Sequence, residues 1–225
     1  MSDEATFQRL LNDQPDDAAS WLVYADWLEA SGESQRATVV RLHRELVGHT
    51  EHVPRLATAR RILDEAKGLP RAWLASFPTR RSLAGECWGA RDCNEGVYLV
   101  RFLEGGKLLF KQGDIGDESD PPDEVNGDGN WMQIGDAVAF SIALHDNRKK
   151  DFSRQDGVLT PGKKRDTLGG IGSNADGQIW TWTLAPLELA DFEAELMPDL
   201  PAKPRDSKQR STDNHKHLLP KRRWK

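Results

Sequence analysis

The chain has no apolar run of about 18 residues, so no helix long enough to cross a membrane is expected. Cysteine is scarce, with two in 225 residues, which excludes a disulfide framework. Hydrophobic residues reach only 37%, short of the 45–50% or so usual for globular domains, so part of the chain is expected to stay outside any core. The opening MSDEATFQRL lacks the basic-then-apolar order of a signal peptide, and a cytoplasmic location with no membrane partner is the expectation. Catalytic signatures are missing too. There is no G-x-S-x-G, no P-loop, no H-E-x-x-H and no dinucleotide fingerprint.

Charge, by contrast, is abundant and uneven. The net charge is −5, yet residues 201–225 carry nine Lys/Arg against Asp206 and Asp213. That tail is +7, which leaves −12 on the first 200 residues. The stretch GDIGDESDPPDEVNGDGN at 113–130 has seven carboxylates and no basic residue. A basic tail can reach nucleic acid or another polyanion, here through Lys221, Arg222, Arg223 and Lys225, or it can be a solvated, disordered end.

Periodicity divides the chain into helices, then strands, then the tail. Residues 1–77 read as four or five short helices. Phe7, Leu10 and Leu11 share one face, and Ala18, Trp21, Leu22, Ala25 and Leu28 share the next, ending at Gly32. Val39, Val40, His43, Leu46 and Val47 form a third stripe. A fourth helix begins near Val53-Pro54 and carries Leu56, Ala59, Leu63 and Ala66. Past residue 85 the helical period is lost. VYLVRF at 97–102 and KLLF at 107–110 flank Gly105-Gly106, WMQI and AVAFSI flank Gly135-Asp136, and residues 167–173 and 178–184 flank Asp176-Gly177. With one more strand over 152–160, six to eight strands in tight hairpins predict an antiparallel barrel or curled meander. The fold class expected is thus α+β in two independently packed bodies: a helical bundle over 1–78, a β domain over 80–190, and a disordered basic tail over 198–225. A short helix over 188–197 is expected to leave the β domain.

Residues 1–47 carry a specific pattern: PDD at 15–17, LVYADWLE at 22–29, then Gly32, Arg36-Ala37 and Arg41-Leu42. This resembles the bacterial repeat-companion domain, a short helical module with no established activity. Val39-Val40 departs from it, since the family more often has an acidic or aromatic residue followed by Ile. The resemblance implies a fold and no mechanism. Residues 95–185 are similar, more loosely, to small lipocalin-like β domains, through GNWMQIGDAV at 129–138 and GQIWTWT at 177–183. That likeness implies a barrel able to hold an apolar ligand, with 113–130 as an inserted loop.

Candidate chemistry is sparse. Asp26, flanked by bulky residues, reads as a buried carboxylate needing a cation, with Arg36 and Arg41 as the structural ion-pair candidates. Cys87 and Cys93 have no second pair and no nearby histidine, so no metal site is expected, although the two could pair with each other. The acidic order over 113–130 does not fit a calcium loop. His43 reads as a packed or half-exposed helix-face residue. Alternation in ITT against WWL over 179–184 puts Trp180, Trp182 and Leu184 on one face. Trp131, Phe140, Trp180 and Trp182 are the candidate ligand-lining residues, and no cofactor is implied. A non-enzymatic protein-interaction role is the main expectation. Binding of a small apolar ligand inside the barrel is the alternative, and nucleic-acid association through the tail a third.

Overall fold

The computed structural model describes residues 3–92, 97–113, 125–145, 150–162 and 165–187. Five helices come first: α1 (Asp3–Asp13), α2 (Ala18–Ala30), α3 (Ser34–Gly48), α4 (His52–Glu65) and α5 (Arg71–Leu74). Asp17 starts α2 as its N-cap, its Oδ1 accepting from the Ala19 amide at 3.1 Å. The Trp21 indole donates to the Pro15 carbonyl at 2.9 Å, tying the entry loop to the helix it precedes. The predicted stripes are largely the buried ones. Trp21, Tyr24, Ala25 and Leu28 of α2 meet Ala37, Val40 and Leu46 of α3 and Ile62 and Leu63 of α4. On α4 the stripe is rotated: Arg55, Thr58, Ala59, Ile62 and Leu63 are buried, and Leu56 only packs at the edge.

Eight strands follow: β1 (Cys87–Asp92), β2 (Val97–Phe102), β3 (Lys107–Gly113), β4 (Val125–Ile134), β5 (Ala137–His145), β6 (Lys150–Thr160), β7 (Thr167–Asn174) and β8 (Ile179–Leu187). Each pairs antiparallel with the next, and β8 returns to β1, so the sheet closes as a barrel. The three predicted hairpins are all present, as β2–β3, β4–β5 and β7–β8. The first strand was not legible: CWGARD mixes Gly with charges and lacks clean alternation. The acidic stretch also differs from a continuous 113–130 loop. Its last six residues, 125–130, belong to β4, and residues 114–124 lie outside the described part. The helix expected over 188–197 and the tail over 198–225 lie outside it as well.

The expected α+β layout, helices followed by an antiparallel barrel, is present, and the two parts pack against one another. The helical core takes in Ile134, Ala137 and Val158 from the outer barrel wall, with Met132 and Ala139 against it. The barrel interior is a separate cluster built around Trp88, Phe102, Leu108, Phe140, Leu168 and Trp182. Helix α4 lies across β5, β6 and β7.

One buried ion pair joins the two parts. Arg55 Nη2 donates to Asp136 Oδ2 at 2.7 Å, with both side chains almost fully buried. The rest of the guanidinium is also used. Nε and Nη2 reach the Leu159 carbonyl at 3.2 and 2.8 Å, and Nη1 reaches the Leu46 and His49 carbonyls at 3.0 and 2.9 Å. The other Asp136 oxygen accepts from Thr79 Oγ1 and the Arg80 amide, both at 3.2 Å. Beside this pair, Gly135 turns at φ 57°, and a Cβ there would stand 2.5 Å from His43 Nε2. The Gly135-Asp136 turn is therefore both the hairpin predicted from sequence and the seat of the helices.

Candidate functional site

The interior of the barrel can be read rung by rung from the strand register. Trp88, Val100, Phe102, Leu108, Phe110, Val138, Phe140, Ile142, Leu159, Leu168, Trp182 and Leu184 all belong to the buried interior cluster. One end, next to the helices, is sealed. Residues 78–86 pass beneath it and insert Leu83, whose amide donates to Gln133 Oε1 at 3.1 Å. The same Gln133 amide donates to Thr79 Oγ1, the Arg81 carbonyl and the Gly135 carbonyl at 2.7–2.9 Å. Rings fill the middle. Phe102 meets Trp131 and Phe140 edge-on at 5.2 and 5.7 Å, and Phe140 meets Trp182 at 5.2 Å.

The other half of the interior is different. On one rung Gln155 stands between Phe140 and Gly172, and Gly172 faces Trp180. On the next rung toward the helices, Gly157, Gly170 and Trp182 are aligned. These glycines make space for the rings. A Cβ on Gly157 or Gly170 would stand 2.5 Å from the Trp182 ring, and one on Gly172 would strike Gln155 Oε1 and the Trp180 indole. The Gln155 amide donates to Ser153 Oγ at 3.2 Å, and both residues are buried.

Hydrogen bonding is complete at the sealed half and incomplete here. Trp131 Nε1 donates to the Leu103 carbonyl at 2.9 Å, and Trp88 Nε1 to Glu86 Oε2 at 3.0 Å. By contrast Gln155 Oε1 and Trp182 Nε1 are buried and have no partner. Their residues are 5% and 4% exposed, so neither atom reaches bulk water at the surface. An unpaired buried donor or acceptor costs about 1–3 kcal/mol, which makes two of them on adjacent rungs the main anomaly of this interior. Among the inward-facing residues whose side chains are described none is charged, and the register also pairs Asp92 with Trp182 and Asp151 with Leu144.

The residues singled out from sequence fall in different places. Trp131, Phe140, Trp180 and Trp182 all face the barrel interior, but Trp131 belongs to the packed middle and only Trp180 and Trp182 border the half containing Gln155. Asp26 is an exposed carboxylate rather than a buried one, and Arg41 Nη2 donates to it at 2.9 Å while also pairing with Glu29. Arg36 does not meet Asp26. It pairs with Glu4 and Glu33, and its guanidinium lies 4.5 Å above the Trp73 ring. Burial opposes the charge on Arg36, and the hydrogen bonds it donates to Glu4 and Glu33 more than offset it, so its pKa is raised.

His43 is buried, tilted against Trp21 and edge-on to Phe77 at 4.9 Å, with Nε2 3.3 Å from the Pro78 carbonyl. Burial pushes its pKa down to about 4. Cys87 packs beside Leu99 and Leu187, and Cys93 lies outside the described residues, as do Lys221, Arg222, Arg223 and Lys225. No described helix is long and apolar enough to cross a membrane. Among the described residues no three His, Cys, Asp or Glu side chains converge as a metal site. A cleft in the helical part, lined by Leu11, Trp21, Tyr24, Trp73 and Phe77, encloses about 40 Å³, room for a water or two and far below the 300 Å³ or so of a ligand pocket.

Two buried polar residues escaped the sequence reading. Arg55 is a lone cation on the apolar stripe of α4, a signal that a strict search for charged residues at stripe positions would have caught. Gln155 sits in SRQDG, which is polar on both faces, so alternation gave no hint of which side was inward.

No family model and no curated protein matches the chain. Among solved structures, apo shwanavidin aligns at TM-score 0.33 and 11% identity, over 48% of this chain and 99% of that one. Rhizavidin aligns at TM-score 0.34 and 11% identity, over 51% and 93%. Apo short afifavidin aligns at TM-score 0.31 and 15% identity, over 48% and 100%. Rhizavidin and short afifavidin are also known as biotin complexes. At these scores no property of those proteins is carried over to this chain.

Proposed function

We propose that this protein is a non-enzymatic small-molecule binder that holds its ligand inside the β-barrel, in the half bordered by Ser153, Gln155, Trp180 and Trp182. The observation that supports this reading is the pair of buried, unpartnered polar atoms, Gln155 Oε1 and Trp182 Nε1. A barrel kept only for stability gains by packing that half with apolar side chains, as the other half is packed. The helices act as the closure of the opposite end, through Leu83 and the Arg55–Asp136 pair. The N-terminal helices are read as a repeat-companion module, a reading supported by the LVYADWLE string lying within α2.

The test is a nuclear magnetic resonance screen of uncharged compounds against the full chain, following the eight tryptophan indole N–H signals. The Trp180 and Trp182 signals are assigned with the Trp180→Phe and Trp182→Phe variants. The expected result is a set of compounds that shift those two signals and leave Trp21 and Trp27 unmoved. A screen in which no compound moves them removes the proposal.

A protein-recognition role for the helical part is the second reading. Leu22 and Val23 project from α2 and are about half exposed, an apolar pair that the fold leaves uncovered. Loss of a captured partner in the Leu22→Ser/Val23→Ser double variant, with the barrel signals unchanged, would favour it.

A further inference from the structure

We propose that residues 218–225, LLPKRRWK, dock onto the outer face of α2 in the same chain, with Leu218 and Leu219 on Leu22 and Val23 and the cations that follow beside Asp26 and Glu29. The inference is independent of the barrel-binding reading. It rests on the α2 face of the second reading and names an occupant for it.

Helix α2 is apolar on two sides. Trp21, Tyr24, Ala25 and Leu28 face the helical core. Ala19, Leu22, Val23, Asp26 and Ala30 form the opposite row and are exposed. Leu22 is 48% and Val23 56% exposed. A helix that is apolar all round is normally covered all round. The row also has a direction. Its first half is Ala19, Leu22 and Val23, and its second half holds Asp26 and Glu29, which share the single guanidinium of Arg41 and so keep a net negative charge. Residues 16–33 contain Asp16, Asp17, Asp26, Glu29 and Glu33 and no Lys or Arg.

The segment 218–225 has the complementary order. Leu218, Leu219 and Trp224 are the large apolar residues of 201–225, and Lys221, Arg222, Arg223 and Lys225 supply cations with no carboxylate among them. Laid parallel to α2, it matches both halves of the row together. Leu22 and Asp26 are four helical residues apart, about 6 Å along the axis. Leu219 and Lys221 are two residues apart, about 7 Å when extended, and Pro220 biases Leu219 toward that conformation. The start of the connection is also favourable. Leu187 pairs with Cys87, directly after residues 78–86 beneath the sealed end, so residue 188 leaves the barrel on the side of the helices. Residues 188–217 reach up to about 100 Å when extended, against a radius of gyration of about 16 Å for a domain of this size. A tether acts as a local concentration on the order of a millimolar, so even weak docking fills the face.

The experiment follows the Trp224 indole N–H signal of the full chain by nuclear magnetic resonance, assigned with Trp224→Phe. Overhauser contacts are expected between the Leu218, Leu219 or Trp224 side chains and the Leu22 and Val23 methyl groups. Leu22→Ser/Val23→Ser and Leu218→Ser/Leu219→Ser should each move the Trp224 signal to the same new position. The second variant leaves every described residue intact, so the comparison survives if the first fails to fold. A synthetic LLPKRRWK peptide titrated into Leu218→Ser/Leu219→Ser should bind with a Kd of roughly 0.1–1 mM, a range the tether raises to full occupancy. Asp26→Asn/Glu29→Gln should weaken that binding by only a few-fold, as exposed ion pairs do.

The proposal is overturned if those Overhauser contacts are absent, or if Trp224 answers to the Leu218 and Leu219 changes and not to those at Leu22 and Val23, which would seat the segment elsewhere, for example on the acidic stretch 113–130. It is equally overturned if the Trp224 shift grows with protein concentration together with a doubling of mass in sedimentation, because the occupant is then a second copy. In each of these cases the protein-recognition reading of the α2 face stands on its own capture test.

Discussion

The helix–barrel junction and the far half of the barrel interior handle buried polarity in opposite ways. At the junction Arg55 uses all five of its N–H groups, on Asp136 and the carbonyls of Leu46, His49 and Leu159. In the barrel Gln155 Oε1 and Trp182 Nε1 are left with nothing. Both sites are buried and both lie on β5–β8 or against them, so burial alone does not explain the difference. A completed network holds a fixed arrangement, and an incomplete one is waiting for a partner or for water. That contrast is the ground for proposing a structural role at the first site and a binding role at the second.

The contrast can be broken at its strongest point first. Asp136→Ala leaves the buried Arg55 without its carboxylate and should lower stability by about 3–5 kcal/mol in chemical denaturation, and Arg55→Ala, which leaves Asp136 its 3.0 Å pair with Arg80 Nε, should cost less. The double variant Arg55→Met/Asp136→Leu should recover much of that loss. A single variant that melts like the parent would show that the junction carries no weight.

Next in size is the pH dependence set by His43. The Pro78 carbonyl can only accept, so Nε2 carries the proton, and a second proton would have to enter at the buried Nδ1. With a folded pKa of about 4 against an ordinary 6.5, the unfolded chain binds this proton first. Stability from this group is therefore full above pH 6.5 and declines as pH falls toward 4, by about 3 kcal/mol in all. His43→Phe should flatten that slope in denaturation curves taken between pH 4 and 7, and an unchanged slope would place the acid sensitivity elsewhere.

Smaller again is Gly170→Ala. Its Cβ would stand 2.5 Å from the Trp182 ring and press on the Asp156 carbonyl, for a cost of roughly 1–3 kcal/mol from overpacking. The Trp182 indole signal should shift in that variant more than any other. The smallest effect belongs to Asp26→Ala. Its pair with Arg41 is solvent-exposed on both sides, so a loss below about 1 kcal/mol is expected in thermal melts. A larger loss would restore the importance that the sequence pattern suggested for Asp26.

That misreading of Asp26 shows where local inference stops. Tyr24 and Trp27 flank it in sequence, and bulky neighbours suggested burial. On a helix, though, adjacent residues point about 100° apart, and Asp26 faces water while Tyr24 and Ala25 face the core. The same geometry moved the buried stripe of α4 by one position and put Arg55 inside it. Hairpins were more legible, because Gly105-Gly106, Gly135-Asp136 and Asp176-Gly177 each interrupt β-rich runs at a spacing that permits only tight turns. The alternation of strand β8 was readable, since Ile179, Thr181 and Thr183 alternate with Trp180, Trp182 and Leu184 and the latter three turned inward, although the strand runs on past 184 to Leu187. Strand β6 was not: it is polar on both faces, and its inward side is set by its neighbours.

By itself the sequence determined the helical and β halves, the hairpin turns and the inward face of β8, because period, turn chemistry and side-chain alternation act over a few residues. Only the tertiary structure decided that Arg55 meets Asp136, 81 positions away, that the barrel closes through β1 and β8, and that Gln155 Oε1 and Trp182 Nε1 are left without hydrogen-bond partners on adjacent rungs. Burial and hydrogen-bond satisfaction are properties of what packs around an atom, and nothing along the chain near these residues records their partners or the lack of them.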